Sequence, residues 1–477
     1  MKKILSSVIL FCIFIIACKK NENYFRAPGN SNTLISLITG RVSDLNNLPV
    51  DNALVSAGTI TTTTDINGIF FLKNVKLSSD AVFLTVSKAG YFHGSRTFFV
   101  NPNPVNITNR FADRRTSSSH NNSINYVNVK LIPKIVSGNF SASLGGTIQV
   151  SGGGTVDIGA GSVVNASTGI VYSGNVSVSA FYLNPADSRF NDYMPGDLRG
   201  VTINNEERIL QSFGMLAIEM NDANGEKLQL APSKTATITL PISADLQAMA
   251  PASIPLWYFD ETKGIWKEEG SATKQNNKYS GTVTHFSFWN CDLPAKYVKL
   301  DVTFNDQKRI ALANSFVTIT STVYGTRGGY TDNQGTVSGL IPANETLVLK
   351  LFNQCNEIIY QKNTGPFSAD INLGIIIVAN PASQLNITVT GNVVTCNNSP
   401  VTNGYVLVSN GANYFNAPVT NGNFTITFPV CIGTNNPVTL FATDIENSRQ
   451  SEAQIININN GNQNIGQITA CIDFSNL

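Results

Sequence analysis

Short segments of alternating apolar and polar residues fill most of the chain after residue 34. In the first part of the chain such segments lie at 37–43, 82–88 and 126–131, and turn residues separate them. The spacing of about 8 to 12 residues is typical of β-sandwich proteins. Because successive side chains of a strand point to opposite faces, the alternation gives each strand one face for a core and one for solvent. The pattern predicts an all-β fold of tandem Ig-like β-sandwich modules.

Glycine-rich stretches and repeated turn patterns divide the predicted strands into modules. A strand, a Pro-Val turn and a hairpin follow one another at 39–70, and diverged versions occur at 302–337 and 390–424. After the first of these, glycine-led strands at 145–158 start an unlike region. We therefore predict a first β-sandwich at 35–132, one larger β domain at 133–294, a second β-sandwich repeat at 295–380 and a third at 384–477.

The N-terminus has the pattern of an export signal that ends in a cysteine. Lys2 and Lys3 precede the apolar run 4–17, which is shorter than the roughly 20 apolar residues needed to span a membrane. The run ends in Ala17 and Cys18, and this end resembles the lipobox of bacterial lipoproteins of the Bacteroidetes type. The resemblance implies a lipoprotein signal peptide at 1–18, a lipid on the Cys18 thiol and a membrane as partner. The alternative is an ordinary signal peptide with a chance cysteine at its end.

The polar residues 19–34 are typical of a flexible linker between a lipid and a first folded module. We expect a lipoprotein of the cell envelope at the outer membrane. The sequence leaves open whether it faces the periplasm or the cell exterior.

The composition argues against several classes of function. The chain has 477 residues, a formal net charge of +1 and 13% charged residues, so no nucleic acid is expected as a partner. Its three histidines, His93, His120 and His285, are far apart in sequence and no CxxC pair occurs, which argues against a zinc site. We therefore expect neither a metal nor another cofactor.

The cysteines predict disulfides at the C-terminal end of the chain. Once Cys12 leaves with the signal peptide and Cys18 carries lipid, five of the seven cysteines remain. In an oxidising compartment the last four are candidates for two bridges, with three connectivities open, and Cys291 is left over. The disulfide candidates are Cys355, Cys396, Cys431 and Cys471.

Residues 39–53 and 64–70 resemble the carboxypeptidase regulatory-like domain, a transthyretin-like sandwich of about 100 residues. The order of a strand, a Pro-Val turn, a small-residue strand and an Asp-Xaa-Xaa-Gly hairpin is that of the family. Asp65 is placed to cap the hairpin turn, and Gly68 to supply a positive φ. The resemblance implies a structural accessory module without peptidase activity.

The most distinctive region is a tryptophan-containing hairpin at 256–266, which has Gly264 in its turn. The following segments, 279–283 and 284–290, contain the sequence His-Phe-Ser-Phe-Trp-Asn, and all three tryptophans of the chain lie between 256 and 290. Together with the glycine-rich start, this region resembles the extracellular domain of cartilage intermediate layer protein. The resemblance covers roughly the 150 residues of the larger domain.

One chemical hypothesis concerns the tripeptide His285, Phe286 and Ser287. Self-cleaving β domains are cut at His-Leu or His-Phe followed by Ser or Thr, where the hydroxyl attacks the preceding carbonyl and the histidine acts as base. The alternative is a plain structural strand that places Phe286 and Phe288 on one face, packed on Trp257 and Trp266.

Other catalytic patterns are absent from the sequence, since it contains no GxSxG elbow, no HExxH and no paired carboxylates in a suitable setting. We expect a non-catalytic surface scaffold, adhesion or binding protein with a glycan or protein ligand. One alternative is a carbohydrate-binding accessory of a nutrient-uptake system, with exposed Tyr and Trp side chains stacking on sugar rings. The other is a surface protein that cleaves itself between Phe286 and Ser287.

Overall fold

A computed structural model of the chain describes residues 34–77, 81–99, 124–187, 189–332, 334–379, 384–410, 413–433, 438–457 and 461–473. The predicted signal peptide, its Cys18 and nearly all of the predicted linker lie outside these residues. Strands account for 62% of the structure and helix for 1%, which confirms the prediction of an all-β fold. Within the described ranges no helix is long and apolar enough to cross a membrane.

The described part of the first sandwich forms eight strands: β1 (Leu34–Asp44), β2 (Leu54–Ala57), β3 (Ile60–Thr63), β4 (Ile69–Leu77), β5 (Ala81–Ser87), β6 (Gly94–Phe99), β7 (Ile124–Tyr126) and β8 (Val129–Leu131). One sheet contains β4, β1, β7 and β8, and the other has the order β3-β2-β5-β6. Ile38, Val42, Leu72 and Leu84 are fully buried in the core of this sandwich.

The larger domain forms one hydrogen-bonded sheet of thirteen strands in the part of the chain that is described. A single helical turn, α1 (Phe190–Tyr193), interrupts the strands. The strands are β9 (Val136–Ser141), β10 (Gly146–Val150), β11 (Gly154–Ile158), β12 (Val163–Asn165), β13 (Asn175–Leu183), β14 (Arg199–Val201), β15 (Glu207–Asn221), β16 (Lys227–Leu230), β17 (Ala236–Pro241), β18 (Ser253–Asp260), β19 (Ile265–Gln275), β20 (Lys278–Val283) and β21 (Phe288–Ala295).

The second repeat has β22 (Tyr297–Asp306), β23 (Phe316–Ser321), β24 (Gly325–Tyr330), β25 (Thr336–Pro342), β26 (Leu347–Phe352), β27 (Ile358–Thr364) and β28 (Ile371–Val378). The third has β29 (Gln384–Thr395), β30 (Gly404–Asn410), β31 (Asn413–Val419), β32 (Asn423–Cys431), β33 (Val438–Asp444), β34 (Arg449–Gln450), β35 (Gln454–Ile456), β36 (Gln463–Ala470) and β37 (Ile472–Asp473). Each repeat, like the first sandwich, divides its described strands between two sheets.

The three sandwiches share one strand-pairing pattern. The first strand of each lies between an antiparallel and a parallel neighbour: β1 between β4 and β7, β22 between β25 and β28, and β29 between β32 and β36. The antiparallel neighbour follows the predicted Asp-Gly or Asn-Gly turn. Repetition of the turn pattern in the sequence therefore corresponds to repetition of a sheet topology.

The hairpin turn of the first sandwich has the predicted chemistry. Oδ1 of Asp65 accepts hydrogen bonds from the backbone N–H groups of Asn67 at 3.0 Å and Ile69 at 2.8 Å. Gly68 has a φ of +73°, and a Cβ there would collide with the carbonyl oxygen of Val42, so the close approach of β1 also requires glycine. The side-chain cap and the glycine together turn the chain into β4.

The third repeat packs directly against the first sandwich. The Tyr405 hydroxyl donates a hydrogen bond to Asp65, and the Asn67 amide donates one to Oε1 of Gln450 at 2.8 Å. The Tyr405 side chain is fully buried, and its ring centroid lies 5.2 Å from that of Phe71. Burial raises the pKa of both the Asp65 carboxyl and the Tyr405 hydroxyl. The first sandwich and the third repeat, which are the first and last modules of the described chain, are therefore in direct contact.

The first sandwich also shares an apolar cluster with the larger domain, which we name the junction cluster. The Phe92 ring lies 6.1 Å from that of Phe288, measured between centroids. The turn of the tryptophan hairpin lies against the first sandwich, since a Cβ on Gly264 would collide with the ring of Phe83. The junction cluster contains Phe92, Ile132, Leu183, Phe190, Tyr193, Met194, Leu198, Leu210, Met215, Ala217, Trp257, Phe259, Trp266 and Phe288.

The module boundaries given by the sequence stay predictions. Sheet membership shows which strands pair, but it does not show which segments fold on their own. Because the junction cluster draws side chains from two of the predicted modules, cooperative unfolding across that boundary is expected.

Candidate functional site

The tripeptide His285, Phe286 and Ser287 lies in a bend and not on a strand. β20 ends at Val283 and β21 begins at Phe288, so the predicted His-Phe-Ser-Phe-Trp-Asn strand is wrong in its first half. The cause is Gln229, whose Oε1 accepts the Phe286 N–H at 2.7 Å and whose amide donates to the Phe286 carbonyl at 3.1 Å. A side chain thus takes the hydrogen bonds that a neighbouring strand would make.

The His285 ring is held by aromatic packing. Its centroid lies 4.7 Å from the ring of Tyr258 and 5.1 Å from that of Trp289. Nε1 of Trp289 also donates to the His285 carbonyl at 2.8 Å. Burial lowers the pKa of the imidazole, so the ring is neutral at pH 7. The Nδ1 atom of His285 lies 3.3 Å from the hydroxyl oxygen of Thr284.

The Ser287 hydroxyl is not paired with His285. It donates instead to the carbonyl of Phe288, at 3.1 Å. A serine nucleophile needs a base within about 2.6–3.2 Å of its oxygen. The bend therefore lacks the nucleophile–base contact of the cleavage hypothesis, and self-cleavage between Phe286 and Ser287 stays an untested prediction.

The three tryptophans are fully buried, each with 0% of its surface exposed. Trp257 and Trp266 pack with Phe288 in the junction cluster, as the structural alternative predicts. Phe286 and Trp289 belong instead to the main core of the larger domain, so the two phenylalanines do not share one packing surface. None of these indoles is accessible to a sugar ring, and the predicted stacking of carbohydrate on tryptophan has no surface there.

Two disulfides form among the predicted cysteines, and the structure selects one of the three connectivities. Cys355 is bonded to Cys431, and Cys396 to Cys471. The first bridge joins the second repeat to the third, while the second closes the third repeat on itself. Cys291 is the free cysteine of the described residues; it is buried, and burial raises the pKa of its thiol, which makes it unreactive.

A cavity of about 590 Å³ lies where the first sandwich, the larger domain and the second repeat meet, and we name it the three-module cavity. Arginines from all three modules line its wall: Arg96 from β6, Arg199 from β14 and Arg327 from β24, and Arg189 of the larger domain lies there as well. Its volume lies within the range of about 300–1,000 Å³ found for small-molecule sites.

Two of these guanidinium groups are only partly hydrogen-bonded. Nη1 of Arg96 donates to the Met194 carbonyl at 2.8 Å, whereas its buried Nη2 has no partner in the described structure. Nη2 of Arg327 donates to the Leu210 carbonyl, and its buried Nε is likewise unpaired. Burial lowers the pKa of both side chains to about 10, so both remain cationic at neutral pH.

The third arginine is paired with an acid on the same wall. Nε of Arg199 donates to Oδ2 of Asp197 at 2.7 Å, and the other carboxylate oxygen, Oδ1, is buried without a hydrogen bond. Burial raises the pKa of Asp197, although Arg199 opposes the change. Thr97 also lines the cavity, and its hydroxyl is buried and unpaired. The residues that line the cavity thus include several with buried, unpaired polar atoms, which lie behind the accessible wall.

Sequence reasoning missed this site because its residues come from three modules. In β6 the consecutive residues Ser95, Arg96 and Thr97 are all buried, which is unusual for an arginine, but this burial is visible only in the structure. Among the described residues no group of three or more His, Cys, Asp or Glu side chains is placed to hold a metal ion.

Comparison with known proteins gives no family assignment. No protein-family model matches the chain, and no curated protein matches it. The two family resemblances of the sequence therefore stay predictions.

Solved structures that resemble parts of the chain include bacterial pilins, all at low scores. The shaft pilin SpaA of Lactobacillus rhamnosus GG is 9% identical, with 37% of this chain and 98% of that chain covered and a TM-score of 0.20. BcpA, the major pilin subunit of Bacillus cereus, is 9% identical, with 91% and 99% covered and a TM-score of 0.14. A minor pilin of Streptococcus agalactiae is 7% identical, with 36% and 96% covered and a TM-score of 0.15. Such scores do not establish a shared overall fold, so the functional reasoning rests on the residues of this chain.

Proposed function

We propose that the protein is a non-catalytic scaffold or binding protein of the cell envelope, held at a membrane by a lipid on Cys18. The export-signal pattern and the lipobox-like end at Ala17 and Cys18 support the anchor. One acyl chain gives only marginal membrane binding, but the two or three chains of a lipoprotein give nearly permanent attachment. We expect the β-sandwich modules to carry the binding surfaces of such an anchored protein.

One observation carries the non-catalytic part of the proposal. The sequence offers a single catalytic candidate, the pair His285 and Ser287, and both side chains are used for structure. The imidazole packs between Tyr258 and Trp289, and the serine hydroxyl donates to a backbone carbonyl. A group held in this way contributes to stability and is not poised for proton transfer.

The contacts between modules support a scaffold role. Tyr405 joins the third repeat to the first sandwich, the disulfide between Cys355 and Cys431 joins the third repeat to the second, and the junction cluster joins the first sandwich to the larger domain. With the hydrogen bond from Arg327 of the second repeat to the Leu210 carbonyl of the larger domain, these connections link the four units into a closed circuit. A surface scaffold benefits from this arrangement because relative motion of its modules is restrained.

The anchor is tested by replacing Cys18 with serine. We expect wild-type protein in the membrane fraction and C18S in the soluble fraction, because the serine hydroxyl does not accept the diacylglycerol. C12S is the matched control, since Cys12 lies in the apolar run and should leave fractionation unchanged. A lipid on Cys18 would be contradicted if wild-type protein and C18S were both found in the soluble fraction, or both in the membrane fraction. Protease treatment of intact cells then distinguishes the cell exterior from the periplasm.

The non-catalytic assignment is tested by measuring the intact mass of the purified C18S chain. The measurement applies whether or not the export signal has been removed. We expect a single full-length species, identical in form for Ser287→Ala apart from the mass of one oxygen atom. Two fragments that meet at Phe286 and Ser287 in the parent protein, and that disappear in Ser287→Ala, would establish self-cleavage and overturn the proposal.

A further inference from the structure

We propose that the second repeat carries a self-association surface, at which the outer edge of β28 pairs antiparallel with β28 of a second copy of this chain. This inference goes beyond the proposed function and does not depend on the lipid anchor. The surface consists of the free edge of one sheet and of two exposed isoleucines on that strand, Ile375 and Ile377, and we name it the β28 edge.

β28 is the last strand of its sheet. The sheet has the order β25-β22-β28, and β22 is the one strand with which β28 pairs in the described part of the chain. The Gly374 N–H donates to Oδ1 of Asn372 at 2.7 Å, so the edge that is free for pairing begins at Ile375. The backbone groups of such an edge are a template for a strand of another molecule.

The β28 edge is apolar, although edge strands commonly carry charge. Ile375 is 56% exposed and Ile377 is 51% exposed. β28 contains neither a charged residue nor a proline, whereas β27, which lies at the edge of the other sheet of this repeat, exposes Lys362. Lysine or proline in an edge strand hinders pairing with other molecules. β28 lacks this protection.

The other two sandwiches provide an internal comparison, because their strands can be aligned with β28 by hydrogen bonds. In each module one residue of the first strand donates its N–H to the carbonyl of the hairpin-turn glycine, and these residues are Val42, Phe304 and Val393. Their partners on the parallel strands are Val129, Ile376 and Ile468. The residues on either side of Ile376 therefore correspond to those on either side of Val129 and Ile468.

Only the second repeat has apolar residues at these flanking positions. The first sandwich has Asn128 and Lys130, the second repeat has Ile375 and Ile377, and the third repeat has Gln467 and Thr469. The backbone is the same in the second and third repeats, since Gly374 and Gly466 both have a φ of +70°. Because polar residues are accommodated on this backbone, the repeat does not need the isoleucines to fold. Their exposure points to a contact outside the chain.

A second copy fits the edge because β28 is complementary to itself. An antiparallel pair with its two-fold axis at Ile376 places Ile375 of each copy opposite Ile377 of the other, so four β-branched side chains meet on one face. No like charges are brought together, since residues 371–378 contain no charged side chain. The paired segment is short and its interface is small, so we expect a dimer with a dissociation constant on the order of 10 μM.

The dimer is tested by sedimentation velocity of the mature full chain as C18S, at concentrations from about 1 to about 200 μM. We expect the parent chain to change from monomer to dimer over this range. Ile375→Gln with Ile377→Thr introduces the residues of the third repeat and should weaken the dimer at least about tenfold, through loss of apolar contact. Near-UV circular dichroism verifies that the variant is folded. A parent chain that stays monomeric throughout would overturn a second copy as the occupant.

Ile170→Gln with Ile455→Thr is the matched control. Ile170 in the larger domain is 69% exposed and Ile455 on β35 is 79% exposed, so the control removes comparable apolar surface away from β28. We expect it to dimerise as the parent chain does. Equal weakening in both double variants, or unchanged dimerisation of the β28 variant, would overturn the assignment of the β28 edge.

Cysteine cross-linking tests the antiparallel register. Under mild oxidation, a mixture of Ile375→Cys and Ile377→Cys chains should form disulfide-linked dimers at least about three times as efficiently as either variant alone. The reason is that positions 375 and 377 lie directly opposite across the pair, whereas identical positions lie diagonally and farther apart. Cys291 is buried and does not compete.

Equal cross-linking in the mixture and in each variant alone would overturn the register, and no cross-linking would overturn the edge pairing. None of these outcomes affects the fractionation of C18S or the intact mass, so failure of this inference is distinguishable from failure of the proposed function.

Discussion

Trp257→Ala is expected to lower the free energy of unfolding by about 3–5 kcal/mol, the cost of emptying a large aromatic site in a core. Trp257 is fully buried in the junction cluster, and its Nε1 donates to the Asp292 carbonyl at 3.1 Å. The substitution removes apolar contacts and leaves that carbonyl without its donor. Urea unfolding followed by circular dichroism measures the loss.

Two control variants separate the contributions of Trp257. Trp257→Phe retains an aromatic ring but removes the Nε1 donor, and we expect a smaller loss of about 1–3 kcal/mol. Ile203 is 74% exposed, so Ile203→Ala should change stability by about 0.5 kcal/mol or less. A loss below about 1 kcal/mol for Trp257→Ala would show that the tryptophan is not a packing residue and would restore it as a candidate for ligand contact.

Removal of the bridge between the second and third repeats is expected to cost about 2–4 kcal/mol. Cys355 and Cys431 are separated by 76 residues in sequence, and a bridge of that span removes much conformational freedom from the unfolded chain. The double variant Cys355→Ser, Cys431→Ser should therefore unfold at a lower temperature under oxidising conditions. Differential scanning calorimetry measures the change.

The second disulfide offers the matched comparison. Cys396 and Cys471 are separated by 75 residues, so loop closure predicts a cost similar to that of the first bridge. A reductant should destabilise the parent chain and leave the chain without all four cysteines unchanged. In the C18S background after signal removal, denatured and unreduced protein should show one free thiol, that of Cys291. Five free thiols would contradict both bridges.

Much of the local structure could be predicted from the sequence because its causes are local. The alternation of apolar and polar residues identified β-strands, and this needs only the period of two along an extended chain. The turn at Asp65 and Gly68, and the hairpin turn at Gly264 with a φ of +65°, follow from the side-chain capping and positive φ that these residues provide. Four of the cysteines could also be identified as disulfide candidates, because counting the cysteines that remain after signal removal and lipidation requires no knowledge of the fold.

The bend at His285 shows where local reasoning failed. Phe286 sits in a segment with strand-like alternation, but its backbone is hydrogen-bonded by the side chain of Gln229. That residue comes from β16, far from Phe286 in sequence. A periodicity measured within the segment contains no information about a competing partner from another strand, so the strand was predicted three residues too long.

The sequence by itself determined the all-β character of the chain, its turns and the four cysteines that are candidates for disulfides. It also led to the expectation of a lipid anchor at Cys18. The tertiary structure decided which cysteines pair, that the tryptophans are buried, and that Arg96, Arg199 and Arg327 line one cavity. The physical reason is the range of the interactions: backbone geometry and turn capping act over a few residues, whereas burial and the pairing of charges depend on how separate sandwiches pack together.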